Sequence, residues 1–152
     1  MQLGTERNDS GVLTLVASAA QRAEPLSPIN ESTARLLGAV AVLGIGLVHV
    51  LDAAGTYEST RWIFWAYLAL IAGSVAVAMV LLHWSSPLAW AAAAGVAVGP
   101  LIAYLWSRSV GLPGDRADIG NWLCTLGMAA LFVESSLLAL SVVRLGTGRQ
   151  AR

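Results

Sequence analysis

The chain has 152 residues, of which 57% are hydrophobic and 12% are charged. A typical soluble domain carries about 25% charged residues, so this composition excludes an ordinary soluble globular protein. The formal net charge is zero, which offers no basic surface for nucleic acid. The single cysteine, Cys124, lies in an apolar segment, so the chain contains neither an internal disulfide framework nor a Cys-x-x-Cys metal site.

The first element is a polar N-terminal segment, residues 1–32. Its apolar stretch, GVLTLVASAA, is short, and Glu6 and Asp9 outnumber Arg7 ahead of it. A signal peptide begins instead with a basic region, so the pattern disfavours a cleaved signal. We therefore expect a tail that is largely disordered or forms one short surface helix.

Four apolar segments follow, and a helix needs about 17–25 such residues to cross a bilayer. They lie between residues 35 and 52 and at about residues 62–82, 87–106 and 119–143. The sequence predicts an all-α fold, a four-helix transmembrane bundle over residues 33–145, followed by a polar C-terminal tail at 146–152. Because the first segment is short, we expect it to gain a turn at one end or to lie where the membrane is thin.

Tryptophans and arginines support this division. All six tryptophans fall near segment ends, where an indole ring is buried while its N–H stays hydrated. Six arginines flank the first and last segments on their terminal sides, against three in the connections after the first and third segments. Since positive residues are enriched on the cytoplasmic side, we expect both termini in the cytoplasm and a multi-pass location in the plasma membrane.

Small residues recur at every fourth position of the third segment: Ala91, Gly95, Gly99, Ala103 and Ser107. We call these five residues the small-residue ridge. Small side chains at this spacing let two helices approach closely. We expect the ridge to pack within the bundle, because a four-span chain must first pack on itself, and a homodimer seam is the alternative. Pro100 predicts a bend, because it removes one backbone hydrogen bond.

Two ionisable residues at membrane depth indicate a binding site. His49 lies near the end of the first segment and Glu134 near the middle of the fourth. Such residues are costly in lipid unless they are paired, neutral or facing water. Counting about 1.5 Å per residue from Arg35 and Arg144 leaves about 6 Å between them along the bundle axis. We therefore expect His49 and Glu134 to meet directly or through one water or ion.

Further polar residues are expected at the same end of the bundle. Glu58 falls in the predicted first loop, and Tyr104 and Arg108 lie where the third segment ends. We predict that one outward-facing pocket binds a small ligand, a proton or a metal ion, lined by His49, Glu58, Tyr104, Arg108 and Glu134. The identity of any ligand, metal or cofactor stays open at this point.

The loop at residues 107–122 is expected to close this pocket. Pro113 presets φ for the second position of a type II turn, and Gly114, together with the nearby Gly111, supplies backbone freedom. Asp118 stands where the N-cap of the fourth helix is expected. We therefore predict a shaped lid formed by Gly111, Pro113, Gly114 and Asp118.

Each candidate residue also has an interpretation that needs no ligand. His49 can be an interfacial hydrogen-bonding residue, and Glu134 can be protonated and bonded to a neighbouring carbonyl. Arg108 can pair with an acidic residue of the loop. What favours a site is their convergence on one end of the bundle.

The sequence identifies no reaction. It contains no Gly-rich phosphate loop and no Ser-His-acid set, and His49 and His83 lie at opposite ends of the predicted spans, which disfavours a haem site. The leading hypothesis is a non-catalytic membrane protein with a polar pocket. The alternatives are a structural or accessory subunit of a larger complex, with a membrane protein partner or as a homo-oligomer, and an enzyme acting on a lipid or quinone.

Three stretches, GIGLVHVLDAAGTYE, YLWSRSVGLPGDRADIGNW and LFVE, resemble a family of small four-span membrane proteins common in actinobacteria. That family pattern places a His, an acidic residue, an SRT-GLPG stretch, a Gly-x-Trp and a Glu here on His49, Glu58, residues 107–114, residues 120–122 and Glu134. Ser109 replaces the usual Thr, and residues 52–54 replace a more proline-containing stretch. The resemblance covers about residues 36–143, and it implies the architecture and the candidate residues but no reaction.

Overall fold

The structure is a computed structural model that describes residues 29–84 and 86–150. The predicted N-terminal tail lies almost entirely outside these residues. Four helices follow one another in the chain: α1 (Glu31–Ser59), α2 (Arg61–His83), α3 (Pro87–Ser109) and α4 (Thr125–Gln150). They form one compact unit, Glu31–Arg152, and no β-strand occurs within the described ranges.

All four helices are long and apolar enough to cross a membrane. A helix satisfies its backbone hydrogen bonds internally, which is the requirement that hydrocarbon imposes on a spanning segment. Large apolar side chains such as Leu36, Leu47 and Phe132 lie on the outside of the bundle, where lipid takes the place of water. The predicted fold class is confirmed, and the chain has the architecture of a multi-pass membrane protein.

The first helix is longer than its apolar run. It continues beyond Asp52 for about two turns, and Thr60 alone connects it to α2. Hydroxyl groups support the extension, because Thr56 Oγ1 donates to the carbonyl of Ala53 at 2.8 Å. Glu58 therefore lies in the last turn of α1, and the predicted loop position was wrong: no proline or helix-breaking sequence stops the helix at Asp52.

The four helices pack in a ring in the order α1, α2, α3, α4, and α1 also contacts α3 across the ring. The helix α1 contacts the other three, α3 also contacts α2 and α4, and α2 does not contact α4. Close approach occurs at two glycines of α1. A Cβ on Gly38 would lie 3.0 Å from the ring of Trp90, and one on Gly46 would lie 3.2 Å from Cβ of Ser74.

One end of the bundle is closed by arginines, and we call it the tail end, where α1 begins and α4 ends. Arg35 Nε donates to the carbonyl of Leu81 at 2.6 Å, and its Nη2 donates to the carbonyl of Leu82. The last carbonyls of a helix have no partner within it, so Arg35 caps α2. Arg144 pairs with Glu31 across the same end.

The small-residue ridge does not pack within the bundle, so that prediction was wrong. Four of its five members are exposed, and only Ser107 is buried. The helix α3 instead buries the neighbouring face of Ala89, Trp90, Ala93 and Ala97. Trp90 fills the space over Gly38, and its bulk selects which face of α3 turns inward.

Candidate ligand-binding site

The opposite end of the bundle comprises Thr60 and residues 110–124, and we call it the loop end. Arg108 organises the polar residues there. The residue is 8% exposed. Its Nη1 lies 2.5 Å from Oδ1 of Asp118, and its Nη2 donates to Sγ of Cys124 at 3.3 Å. Its Cζ lies 4.8 Å from the ring centroid of Tyr104. One guanidinium therefore joins the end of α3 to the following loop.

Asp118 does not cap the fourth helix, and the predicted N-cap was wrong. The helix α4 begins six residues later than expected, at Thr125. Gly120 has a φ of +80°, which interrupts any helix there, and its N–H donates to the carbonyl of Arg108 at 2.9 Å. A buried guanidinium needs a counter-charge, and this requirement outweighs the smaller stabilisation of a cap.

The tight turn has the predicted geometry. Leu112 and Asp115 exchange two backbone hydrogen bonds, of 2.8 and 2.9 Å, across Pro113 and Gly114. Gly114 has a φ of +81°, as the third position of a type II turn requires. Trp62 Nε1 donates to the carbonyl of Pro113 at 2.8 Å, so the turn is tied to the start of α2.

Tyr104 holds the end of the loop against α3. Its hydroxyl donates to the carbonyl of Trp122 at 2.8 Å. A Cβ on Gly127 would lie 2.6 Å from both Cε2 of Tyr104 and Sγ of Cys124. Only glycine therefore lets the first turn of α4 approach α3 this closely.

His49 belongs to a second polar group. It is 8% exposed, and its Nδ1 donates to the carbonyl of Ile45 at 2.9 Å. Its ring packs edge to face on Tyr67 at 4.9 Å, and the Tyr67 hydroxyl donates to Oδ2 of Asp52 at 2.8 Å. This group of His49, Tyr67 and Asp52 therefore joins α1 to α2.

Tyr67 was not singled out by sequence reasoning, although it stands between His49 and Asp52. The available signal was the i, i+3 spacing of His49 and Asp52, which puts both side chains on one helix face. A tyrosine on the neighbouring helix is a suitable donor to that carboxylate. The position of Tyr67 opposite Asp52 follows from the tertiary structure, in which α1 continues past Asp52 to Ser59.

Glu134 is the most deeply buried of the candidate residues, at 1% exposed. Among the described residues none donates a hydrogen bond to it, and its Oε2 has no partner. No direct hydrogen bond joins Glu134 to His49 within the described residues, and a connection through one water or ion stays a prediction. Glu58 is exposed and forms no ion pair within the part of the chain that is described. The structure thus joins Tyr104, Arg108 and Asp118 in one group and His49, Tyr67 and Asp52 in another, and neither glutamate takes part in either group.

An open cleft of about 720 Å³ lies at the loop end. Its walls are formed by Trp106, Gly111, Leu112, Pro113, Gly114 and Arg116. Three predicted lid residues therefore line a cleft, but the five predicted pocket residues do not line it. The turn therefore forms a cleft of its own, separate from the polar group around Arg108.

Neither metal geometry nor similarity to known proteins narrows the choice of ligand. Within the described residues, no group of three or more His, Cys, Asp or Glu side chains is arranged to hold a metal ion. The candidate site is therefore defined by the arrangement of its own residues. Comparisons of the chain with protein-family models, with curated proteins and with solved structures find no match.

Proposed function

We propose that this protein is a non-catalytic plasma-membrane protein that binds a proton at Glu134. In this proposal both termini are cytoplasmic, as the distribution of arginines favours, and the loop end faces outward. The resemblance to small four-span actinobacterial proteins agrees with such a role but supplies no activity. The ligand is a proton rather than a metal ion, because a proton needs a single oxygen and a metal ion needs several ligands.

The burial of Glu134 carries this proposal. An ionised carboxylate inside a membrane bundle is costly unless it is paired or hydrogen-bonded. Glu134 is 1% exposed, and its Oε2 has no hydrogen-bond partner in the described part of the chain. A proton removes the charge without requiring any rearrangement of the surrounding helices.

Three contacting side chains suggest a route from the surface. Asp52 is exposed and accepts a hydrogen bond from the hydroxyl of Tyr67. The ring of Tyr67 in turn contacts the ring of His49. A Cβ on Gly44 would lie 3.3 Å from Cγ1 of Val133. Since α1 and α4 run in opposite directions, Glu134 lies about six residues, or about 9 Å, deeper along the bundle axis than His49. We infer that protons reach Glu134 by way of these residues, with water molecules completing the remaining distance.

Infrared difference spectroscopy of the protein in lipid nanodiscs tests this proposal. Between about pH 6 and about pH 9, where exposed carboxylates stay ionised, we expect a carbonyl stretching band of a protonated carboxyl group to change in intensity. This band should be completely lost in Glu134→Gln, because the amide has nearly the same shape but cannot titrate. The matched control is Glu58→Gln, an exposed glutamate on α1, which should keep the band.

The proposal fails if the band is absent from the wild-type protein at every pH, or if it persists in Glu134→Gln. A His49→Ala variant should keep the band but slow proton exchange, since His49 lies on the route and not at its end. If Glu134→Gln and His49→Ala both fail to accumulate in the membrane, the two residues are structural and proton binding is rejected.

A second candidate function, that of an accessory subunit, is favoured by the exposed small-residue ridge. No atom lies within 4 Å of a Cβ placed on Gly95 or Gly99. A partner helix could approach this face closely, because contacts of this kind replace the hydrophobic effect in lipid. The ridge residues would then form the interface with another membrane protein or with a second copy of the chain.

Replacing Gly95 by leucine separates the two possibilities. We expect the stability of the isolated chain to be unchanged or raised by up to about 1 kcal/mol, because the new side chain meets no other described residue and leucine favours the helix over glycine. Unfolding in detergent measures this, and affinity purification from membranes measures partner retention. Loss of a co-purified partner at unchanged stability supports the accessory role, whereas a destabilised monomer shows that the ridge packs within the chain.

A further inference from the structure

Among the described residues that line the cleft at the loop end, Arg116 alone is charged. The others are Trp106, whose side chain is exposed, and residues 111–114 of the turn. A phosphate group entering this cleft would therefore meet a cation, and none of these lining residues is acidic.

The charge of Arg116 is not neutralised by a neighbour. Among the described residues no carboxylate forms an ion pair with it. The two nearest acidic residues in sequence are occupied elsewhere: Asp115 Oδ1 accepts from the N–H of Ala117 at 3.3 Å, and Asp118 pairs with Arg108. The guanidinium of Arg116 is therefore available to an external anion.

The turn holds Arg116 against the cleft wall. A Cβ on Gly111 would lie 3.0 Å from Cγ of Arg116, so the stem of the arginine packs directly on the glycine backbone. The backbone N–H groups of Gly114 and Arg116 donate no hydrogen bond within the described residues. Both residues line the cleft.

We propose that this cleft binds the phosphate of a phospholipid headgroup in the membrane leaflet at the loop end. Arginine recognises phosphate through two parallel hydrogen bonds, and free backbone N–H groups add to this recognition. The exposed Trp106 is typical of the level of the headgroups. Ile102 and Leu105 are exposed on the same helix within a turn of Trp106, where acyl chains of the same lipid can lie. This inference does not depend on proton binding at Glu134.

The test uses the full chain in nanodiscs of phosphatidylcholine containing a small fraction of phosphatidylglycerol. After transfer to mild detergent, native mass spectrometry counts the lipids that remain bound. We expect one phosphatidylglycerol to be retained preferentially by the wild-type protein. Retention should fall about tenfold or more in Arg116→Gln, because a charge-assisted hydrogen-bond pair is lost, and by less in Arg116→Lys, which keeps a point charge.

The matched control is Arg61→Gln. Arg61 is an exposed arginine at the same end, but it lies 5.3 Å from the ring of Tyr57 and does not line the cleft. Its replacement should leave retention unchanged. Equal losses in Arg61→Gln and Arg116→Gln would show general attraction of anionic lipid and overturn the proposal, as would unchanged retention in Arg116→Gln.

Inorganic phosphate distinguishes the two sources of the same chemistry. Added at millimolar concentration to the detergent sample, it should leave the lipid bound, because phosphate alone gains nothing from Trp106 and the apolar surface. Complete displacement would identify a free phosphate site and reject the lipid. The folding control is that the wild type and the three variants have equal thermal unfolding midpoints. If Arg116→Gln does not fold, Arg116→Lys alone is compared with the wild type.

Discussion

Replacing Gly127 by alanine is expected to lower the free energy of unfolding by about 1–3 kcal/mol, the usual range for an overpacked interior. The added methyl group would lie 2.6 Å from Cε2 of Tyr104 and from Sγ of Cys124, well inside van der Waals contact. Relief requires α4 to move away from α3, which would stretch the bond from the Tyr104 hydroxyl to the carbonyl of Trp122. Equilibrium unfolding in detergent measures the loss.

The control for this substitution is Gly146→Ala on the same helix. Among the described residues outside its own helical turn, none has an atom within 4 Å of a Cβ at Gly146. The helix preference for alanine therefore dominates, and stability should be unchanged or raised by up to about 1 kcal/mol. If Gly127→Ala behaves like Gly146→Ala, the close approach of α4 to Tyr104 is not a feature of the folded protein.

Removal of the carboxylate of Asp118 is the second change with a large expected effect. Asp118→Ala leaves the guanidinium of Arg108, whose side chain is 9% exposed, without its counter-charge. Breaking a buried pair by removing one partner typically costs about 3–5 kcal/mol. Because the side chain of Asp118 is 39% exposed, water partly replaces it, and we expect a loss of about 2–3 kcal/mol, which is below that range.

A double-mutant cycle separates the ion pair from the rest of the loop. Arg108→Met removes the buried charge and keeps much of the side-chain volume, so the combination Arg108→Met with Asp118→Ala should be more stable than Asp118→Ala alone. Strictly additive losses in the free energy of unfolding would contradict this explanation, since they would mean that Asp118 stabilises the loop through contacts that do not involve Arg108. Equilibrium unfolding of the wild type, the two single variants and the double variant gives the four free energies of unfolding that the cycle compares.

Predictions from local sequence succeeded where one physical requirement dominates. Long apolar segments must form helices in lipid, because no other structure satisfies the backbone within a single segment, and four such helices are present. The turn at Pro113 and Gly114 was likewise predictable, since proline restricts φ and glycine permits its positive value. Neither outcome depends on what the rest of the chain does.

Predictions of side-chain partners failed where several requirements compete. Asp118 could cap α4 or neutralise Arg108, and the depth of the arginine decides between them. The small-residue ridge and the alanine face of α3 are both suited to close packing, and the fit of Trp90 over Gly38 selects the second. For His49 and Glu134 only the direct contact is absent among the described residues, because their meeting was inferred from height along the axis alone, which carries no information about direction around each helix.

The amino-acid sequence by itself determined that this chain has four apolar helices, where a tight turn interrupts the last connection, and which ionisable residues lie at membrane depth. These properties depend on length, hydropathy and backbone dihedral preference, each of which acts within a few neighbouring residues. Only the tertiary structure decided that Arg108 pairs with Asp118, that Tyr67 joins His49 to Asp52, and that Glu134 is enclosed without a hydrogen bond from any residue that the structure describes. Such pairings depend on the rotation of each helix about its axis, and packing sets this rotation through contacts between residues far apart in the chain.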